Sequence, residues 1–196
     1  MREFIYFSAK GRTSGNFHDL MKAGRMDIVI HVIIASFFLS NKLRGDVKLH
    51  LILNGPPDAP KHLEFVSDEQ MPISKKDVSG LIKRMLYKYK KGRKEKVFPG
   101  CYIEKKSFAK LLNELREEGK KIYLLDKHGK DIRNVPFAKN AVFVLGDHEG
   151  LPKKELKEAK KYAELINVGP ENYFASQVVV LVHNELDRKG LSYAQK

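Results

Sequence analysis

The 196-residue sequence predicts an α/β protein with a mostly parallel sheet. Three observations lead there. Continuous apolar runs of about 4–8 residues, the mark of strands covered on both faces, alternate with amphipathic stretches. Between Lys121 and Asn184 two such runs and a following segment each end in a turn: Ile122–Asp126 into Lys127-His-Gly-Lys130, Ala141–Leu145 into Gly146-Asp-His-Glu-Gly-Leu-Pro152, and Ala163–Val168 into Gly169-Pro-Glu-Asn-Tyr-Phe174. Glycine-bearing turns at the carboxyl ends of parallel strands form the crevice where open α/β sheets hold ligands, and three in succession predict a nucleoside-sized pocket.

Each element has its own warrant. Arg2–Ser8 carries Phe4, Ile5, Tyr6 and Phe7 and reads as the first strand; residues 9–24, rich in Gly, Ser, Thr and Asn, read as loop. Gly24-Arg-Met-Asp27 opens a helix expected to reach about Lys42, with Asp27 in the first turn where a carboxylate suits the helix dipole. Asp46–Asn54 is a strand, residues 55–60 a rigid turn with three prolines, and His62–Val66 a short strand beyond it. Lys76–Lys91 is an amphipathic helix with Val78, Leu81, Ile82, Met85, Leu86 and Tyr89 on one face. Its polar side runs into Lys88, Lys90, Lys91, Arg93, Lys94 and Lys96, either a solvated helix end or a phosphate-tracking patch. Ser107 caps a helix to Glu118 that Gly119 stops. Lys153–Lys161 is a short polar helix, and Ala175–Asp187 the closing one.

Composition narrows the partner. The chain carries 37 Lys and Arg against 24 Asp and Glu, formally +13, with a sequence pI near 9.7. A high charged fraction explains abundant lysine and glutamate but not the excess of one sign, which suits a polyanion such as nucleic acid. Cys101 is the sole cysteine, so no disulfide framework forms within the chain and a reducing compartment is expected. Ile28–Leu39 is strongly apolar but too short for the roughly 20 residues of a membrane span, and reads as a buried helix. No signal peptide precedes the first strand, so a cytoplasmic location is expected.

Several familiar chemistries are missing. The sequence has no dinucleotide fingerprint, no phosphate-binding loop and no nucleophile elbow. The seven histidines show no metal-ligand spacing, and no metal site is expected. Asp147-His148-Glu149 resembles an acid–base cluster, but reads rather as a tight turn whose side chains support the loop. Gly146 and Gly169 either make ordinary strand-to-helix connections or let backbone approach a ligand; on the second reading a side chain at position 146 would fill the pocket.

Gly24-Arg-Met-Asp27, Ala35-Ser-Phe-Phe-Leu-Ser40, Asn54-Gly-Pro-Pro-Asp58, Phe143-Val-Leu-Gly-Asp-His-Glu-Gly150 and Leu181-Val-His-Asn-Glu-Leu-Asp187 together resemble the archaeal TrmY family, the tRNA (pseudouridine-54, N1)-methyltransferases of the SPOUT superfamily. The resemblance spans essentially the whole chain. It implies one methyltransferase domain over 1–196, with the sheet's C-terminal part, about 121–187, tied in a deep trefoil knot. It implies that S-adenosylmethionine is held through Leu125 of the first turn, Gly146 of the second, and Val168, Gly169, Pro170, Glu171, Asn172 and Tyr173 of the third. It also implies a homodimer packed through the knot helices. Family members commonly have His-Cys where this chain has Gln177-Val178; Val178 can still pack on the cofactor, but no contact can run through a cysteine sulfur there.

For such chemistry N1 of pseudouridine must lose or share a proton while it faces the sulfonium methyl. Asp27 is the candidate base or orienting group, with helix capping as its structural alternative. Lys10, Arg12 and Arg25 are candidates for RNA phosphates, or for pairing with surface carboxylates. The target base would have to leave its stack. An rRNA pseudouridine methyltransferase, another SPOUT methylase and a non-catalytic RNA-binding module are the competing readings.

Overall fold

The computed structural model describes residues 1–191. Eight strands form one sheet. β1 (Arg2–Ser8) lies at its centre with all seven residues buried. It pairs in parallel with β2 (Val47–Leu53) on one side and β7 (Ala141–Leu145) on the other. Beyond β7 come β6 (Lys121–Asp131) and β8 (Glu164–Asn167), both parallel to their neighbours. Beyond β2 the pairing turns antiparallel through β3 (Lys61–Val66), β5 (Cys101–Glu104) and β4 (Glu95–Phe98), giving the order β4-β5-β3-β2-β1-β7-β6-β8.

Helices cover the sheet in two layers, and the alternation along β1 shows why. Phe4 and Tyr6 face α1 (Met26–Phe37), α2 (Val78–Tyr87) and α5 (Ala175–Arg188), packing with Val29, Ile33, Met85 and Val182. Ile5 and Phe7 face α3 (Phe108–Glu117) and α4 (Lys153–Lys160), packing with Leu112 and Ala159. Each fully buried Ile or Phe contributes about 1.5–3 kcal/mol of transfer free energy, so a strand buried on both sides fixes its register strongly.

The expected strands of the parallel half stand close to where the sequence places them; the main differences lie in the helices and at the antiparallel edge. α1 stops at Phe37 rather than near Lys42, because Phe38 turns extended and bridges Leu43. α2 starts at Val78, where Asp77 accepts from the Gly80 amide, and ends at Tyr87. The lysine cluster beyond it does not lie on the helix: Lys96 falls in β4, one arm of a hairpin with β5 that turns at Gly100 (φ 68°). Helix and strand therefore do not alternate throughout. Nor is the Ile28–Leu39 run wholly buried, since His31 is exposed and Ile34 and Ala35 are partly so. Among the described residues no helix is long and apolar enough to cross a membrane.

Candidate functional site

The carboxyl ends of β6, β7 and β8 meet around a cleft of about 580 Å³, within the roughly 300–1,000 Å³ common for small-molecule sites. Each wall has a local cause. After Leu125 the β6–β8 register breaks, and residues 126–129 lift out before pairing resumes at Lys130. Gly129 lets that excursion lie against β8, where a Cβ would sit 2.3 Å from the Ile166 amide nitrogen. The Asn167 side-chain amide donates to the Gly129 carbonyl at 2.6 Å and fastens it.

After β7 the chain folds back on itself, with the Gly150 amide donating to the Asp147 carbonyl at 2.9 Å. A Cβ on Gly146 would lie 2.4 Å from the Gly150 carbonyl carbon and 2.5 Å from the Leu151 nitrogen. Glycine is required here by the turn's own backbone, and the expectation that a side chain would simply fill the pocket needs this correction. After β8, Gly169 takes φ 145°, which other residues rarely adopt. Its amide donates to the Asn167 side chain at 3.1 Å.

Leu125, Gly146, Val168, Gly169, Glu171, Asn172, Tyr173 and Val178 all line this cleft; Pro170 does not. Gln177 turns away from it and accepts from the Phe174 amide at 2.9 Å, capping α5. Asp126 and Lys127, of the first expected turn, line it too, and so does Ile28, which the sequence did not single out and which arrives only through packing of α1.

Asp27 sits one residue before Ile28, at the cleft's edge. Arg25 clamps it with two bonds, Nε to Oδ1 at 3.0 Å and a second guanidinium nitrogen to Oδ2 at 2.9 Å. That contact holds the Asp27 carboxyl below the usual carboxylate range. Arg25 itself adopts the left-handed conformation, φ 63° and ψ 44°, and so turns the loop into α1. Tyr6, buried beneath, has its phenol pushed up by burial and by the Asp147 and Asp27 charges. Lys10 reaches Glu149 at 2.7 Å, both exposed, and Arg12 Nε donates to Ser14 Oγ at 3.2 Å. The loop bearing Lys10 and Arg12 and the turn bearing Gly146 thus meet at one rim.

Two other surfaces border the site. An apolar groove of about 790 Å³ runs between α1 and α5, lined by Ile34, Ala35, Phe38, Tyr173, Val180 and Leu181; Val180 is 52% exposed. On another side, the Tyr87 ring packs on Gly15, so the α2 end with Lys88, Lys90 and Lys91 abuts the 9–24 loop.

The histidine pattern concealed a cluster. His50, His62 and Glu64 are the described residues whose side chains converge closely enough to suggest a metal. His50 Nδ1 and His62 Nε2 are 2.8 Å apart, a hydrogen-bond separation. Two nitrogens on one tetrahedral zinc at about 2.0–2.1 Å each would stand farther apart. Lys48 and Lys94 already neutralise Glu64. The group is a hydrogen-bonded chain, extended by Glu3 on His50 at 2.9 Å and Glu104 on His62 at 3.1 Å.

A family model described as SAM-dependent RNA methyltransferase matches residues 1–191. The tRNA (pseudouridine(54)-N(1))-methyltransferase of Methanococcoides burtonii is 36% identical over 195 residues, covering 96% of each chain. The enzymes of that name from Methanocaldococcus jannaschii and Pyrococcus abyssi are each 34% identical, covering 96% and 97% of this chain and 98% and 100% of theirs. Among solved structures, Archaeoglobus fulgidus Nep1 bound to S-adenosylhomocysteine shares the fold, with a TM-score of 0.61 at 13% identity over 95% of this chain and 97% of that one.

Proposed function

The chain belongs to the tRNA (pseudouridine(54)-N(1))-methyltransferase family, and from that kinship we propose that it methylates N1 of pseudouridine 54 in tRNA, using S-adenosylmethionine bound in the three-loop cleft. The observation that carries the reading is the convergence of the three strand-end loops beside the first turn of α1.

The cleft's lining suits the cofactor. Leu125 and Val178 offer apolar surface for a flat adenine, with the buried Leu145 and Ile166 also at the lining, while the backbone at Gly146 and at Val168–Gly169 offers polar groups at its edges. Pro170, outside the lining, would shape the 169–173 turn rather than touch the ligand. Bound there, the cofactor supplies a methyl group activated by a sulfonium. The protein's task is to hold N1 in line with that methyl and to manage the N1 proton. Asp27 is ionised and fixed by Arg25, so it accepts the N1–H hydrogen bond and orients the base. With its proton affinity lowered, it is a better orienting acceptor than a proton store. Lys10 and Arg12 face RNA phosphates beside the cleft, with Arg25 at the base.

On the same reading, residues 1–196 form one SPOUT-type domain and about 121–187 tie the trefoil knot. The strand order supports it: the chain leaves β6 for β7 on one side and then crosses to β8 on the other. The apolar α1–α5 groove supports a homodimer, because a face this apolar on a strongly basic protein suits a second copy. A tRNA substrate implies work in the cytoplasm. The test is calorimetry with S-adenosylmethionine, followed by mass spectrometry of nucleosides from treated tRNA and rRNA fragments. Cofactor-dependent methylpseudouridine at position 54 is expected. Methylpseudouridine confined to rRNA fragments, or no cofactor binding, would overturn the reading.

A further inference from the structure

We propose that Asp147 is a positioning residue that makes cofactor binding and RNA binding favour each other, by holding the RNA loop and the cofactor turn on one carboxylate. The inference rests on the function proposed above. β1 and β7 leave the sheet side by side, since Tyr6 pairs with Leu145. Two residues beyond Leu145, the Asp147 side chain is 4% exposed. Its Oδ2 accepts from the Ala9 amide at 3.0 Å, and its Oδ1 accepts from the Glu149 amide at 2.9 Å. One carboxylate oxygen therefore belongs to the RNA loop and the other to the cofactor turn. With both oxygens engaged by backbone donors, Asp147 is poorly placed to take the N1 proton, although it lines the cleft.

The loop it holds is fastened at several points. Cβ atoms built on Gly24 and Gly55 would lie 1.7 and 2.2 Å from the Lys10 carbonyl oxygen, so two backbone segments press on that carbonyl. The Gly11 amide donates to Ser8 Oγ at 3.1 Å, and Thr13 Oγ1 donates to the Gly55 carbonyl at 3.0 Å. The loop is thus fixed to the turn after β2, and Asp147 connects that unit to residues 146–150. The Lys10–Glu149 pair runs parallel to the link, but both partners are exposed and such pairs contribute little. A ligand that orders the 146–150 turn must also restrain Ala9 to Arg12, and by linkage RNA held on the loop must tighten the turn by the same factor.

Asparagine separates the two bonds. Its amide has one acceptor oxygen, so Asp147→Asn satisfies Ala9 or Glu149 and sets an NH2 against the other donor. tRNA affinity would be measured with and without saturating S-adenosylhomocysteine. The unaltered protein should bind tRNA about tenfold tighter with the ligand present. In Asp147→Asn that ratio should fall to near one, whatever affinity the variant itself keeps for the ligand. Hydrogen exchange on the unaltered protein gives a second reading: the ligand alone should raise protection of the amides of residues 9–12. A ratio preserved in the variant, a ratio of one in the unaltered protein, or unchanged exchange at 9–12 would each overturn the coupling. Independent binding of both ligands would refute the link alone. Failure of S-adenosylhomocysteine to bind the unaltered protein would remove the active-site reading itself.

Discussion

Acidification should destabilise this protein through its buried histidines: His183, held down to about 3 by burial and by Arg44 and Arg2, gives one share, and the Glu3–His50–His62–Glu104 chain gives another. The chain has three contacts, and two neutral imidazoles supply two protons. Whichever tautomers the two rings adopt, one of the three contacts is left without a proton. A third proton would create a buried imidazolium. Glu3, Glu64 and Glu104 already face Lys48, Lys94, Lys106 and Lys120, so that charge finds no free counter-ion. Burial accordingly holds His50 below its ordinary value and His62 down to about 4 from 6.5. The unfolded chain then binds more protons than the folded one between those values, so stability falls as pH drops from about 6.5 toward 4. At 1.36 kcal/mol per pH unit the full loss from His62 is about 3 kcal/mol. Urea midpoints at pH 7.5, 5.5 and 4.5 measure it. With a slope of about 1–3 kcal/mol per molar, the midpoint should fall by about 1 M or more. A double His50→Gln, His62→Gln variant should reduce the dependence in that window and leave the share that His183 contributes. Glu3 adds a later loss. Burial raises its pKa, but the hydrogen bond to His50 and the Lys48 and Lys120 charges outweigh that and hold it near about 2, so its share is present above 4.5 and disappears below. Stability that rises on acidification from 7.5 to 5.5 would refute the reasoning, because it would mean the pair already shares an extra proton.

Four further outcomes are expected. Gly146→Ala should weaken S-adenosylmethionine binding by at least about tenfold and lower the melting temperature by several degrees, since the turn's own backbone must move; calorimetry and a thermal melt read both. Asp27→Asn should cut kcat by about 10²-fold or more with cofactor affinity unchanged, and the kcat/KM profile of the unaltered enzyme should show no acidic limb from Asp27 above the ordinary carboxylate range. Joint Lys88→Glu, Lys90→Glu and Lys91→Glu changes should weaken full-length tRNA more than an isolated target stem-loop, and should reduce the slope of log affinity against log salt by about 1–3. Val180→Glu should convert a dimer to monomer in analytical ultracentrifugation, because it places a charge in the α1–α5 groove.

How much the residues disclosed depended on whether a signal was local. Ala141–Leu145 was readable to the residue because a strand buried on both faces leaves an uninterrupted apolar run, and Arg2–Ser8 was readable from its apolar centre, Phe4 to Phe7. Ser107 announced α3 by a side chain that accepts from the Lys110 amide. The β4–β5 hairpin was hidden because Glu95-Lys-Val-Phe98 carries a charged half and continues a lysine-rich run, which reads as the tail of α2. The end of α1 was hidden because nothing in Ala35-Ser-Phe-Phe-Leu-Ser40 breaks a helix; Phe38 leaves it through a bridge to Leu43 that only the fold supplies.

The site divides the same way. Its three turns were legible because glycine is cheap to recognise, but the reason for each glycine was not. The Gly146 Cβ would strike Gly150 and Leu151, and the Gly129 Cβ would strike Ile166, so these glycines let the protein's backbone approach itself before any ligand arrives. The histidine chain was invisible because its members come from different strands and meet through register: Ile52 opposite His62, and His50 opposite Glu64. That register sets His50 and His62 on one sheet face one diagonal step apart, a distance no sequence spacing encodes. Backbone turns that pack on themselves have a consequence for the chemistry. They set the outline of the cleft from within the chain, and the part left for the methyl donor to order is the 146–150 turn together with the segment Asp147 reaches at Ala9.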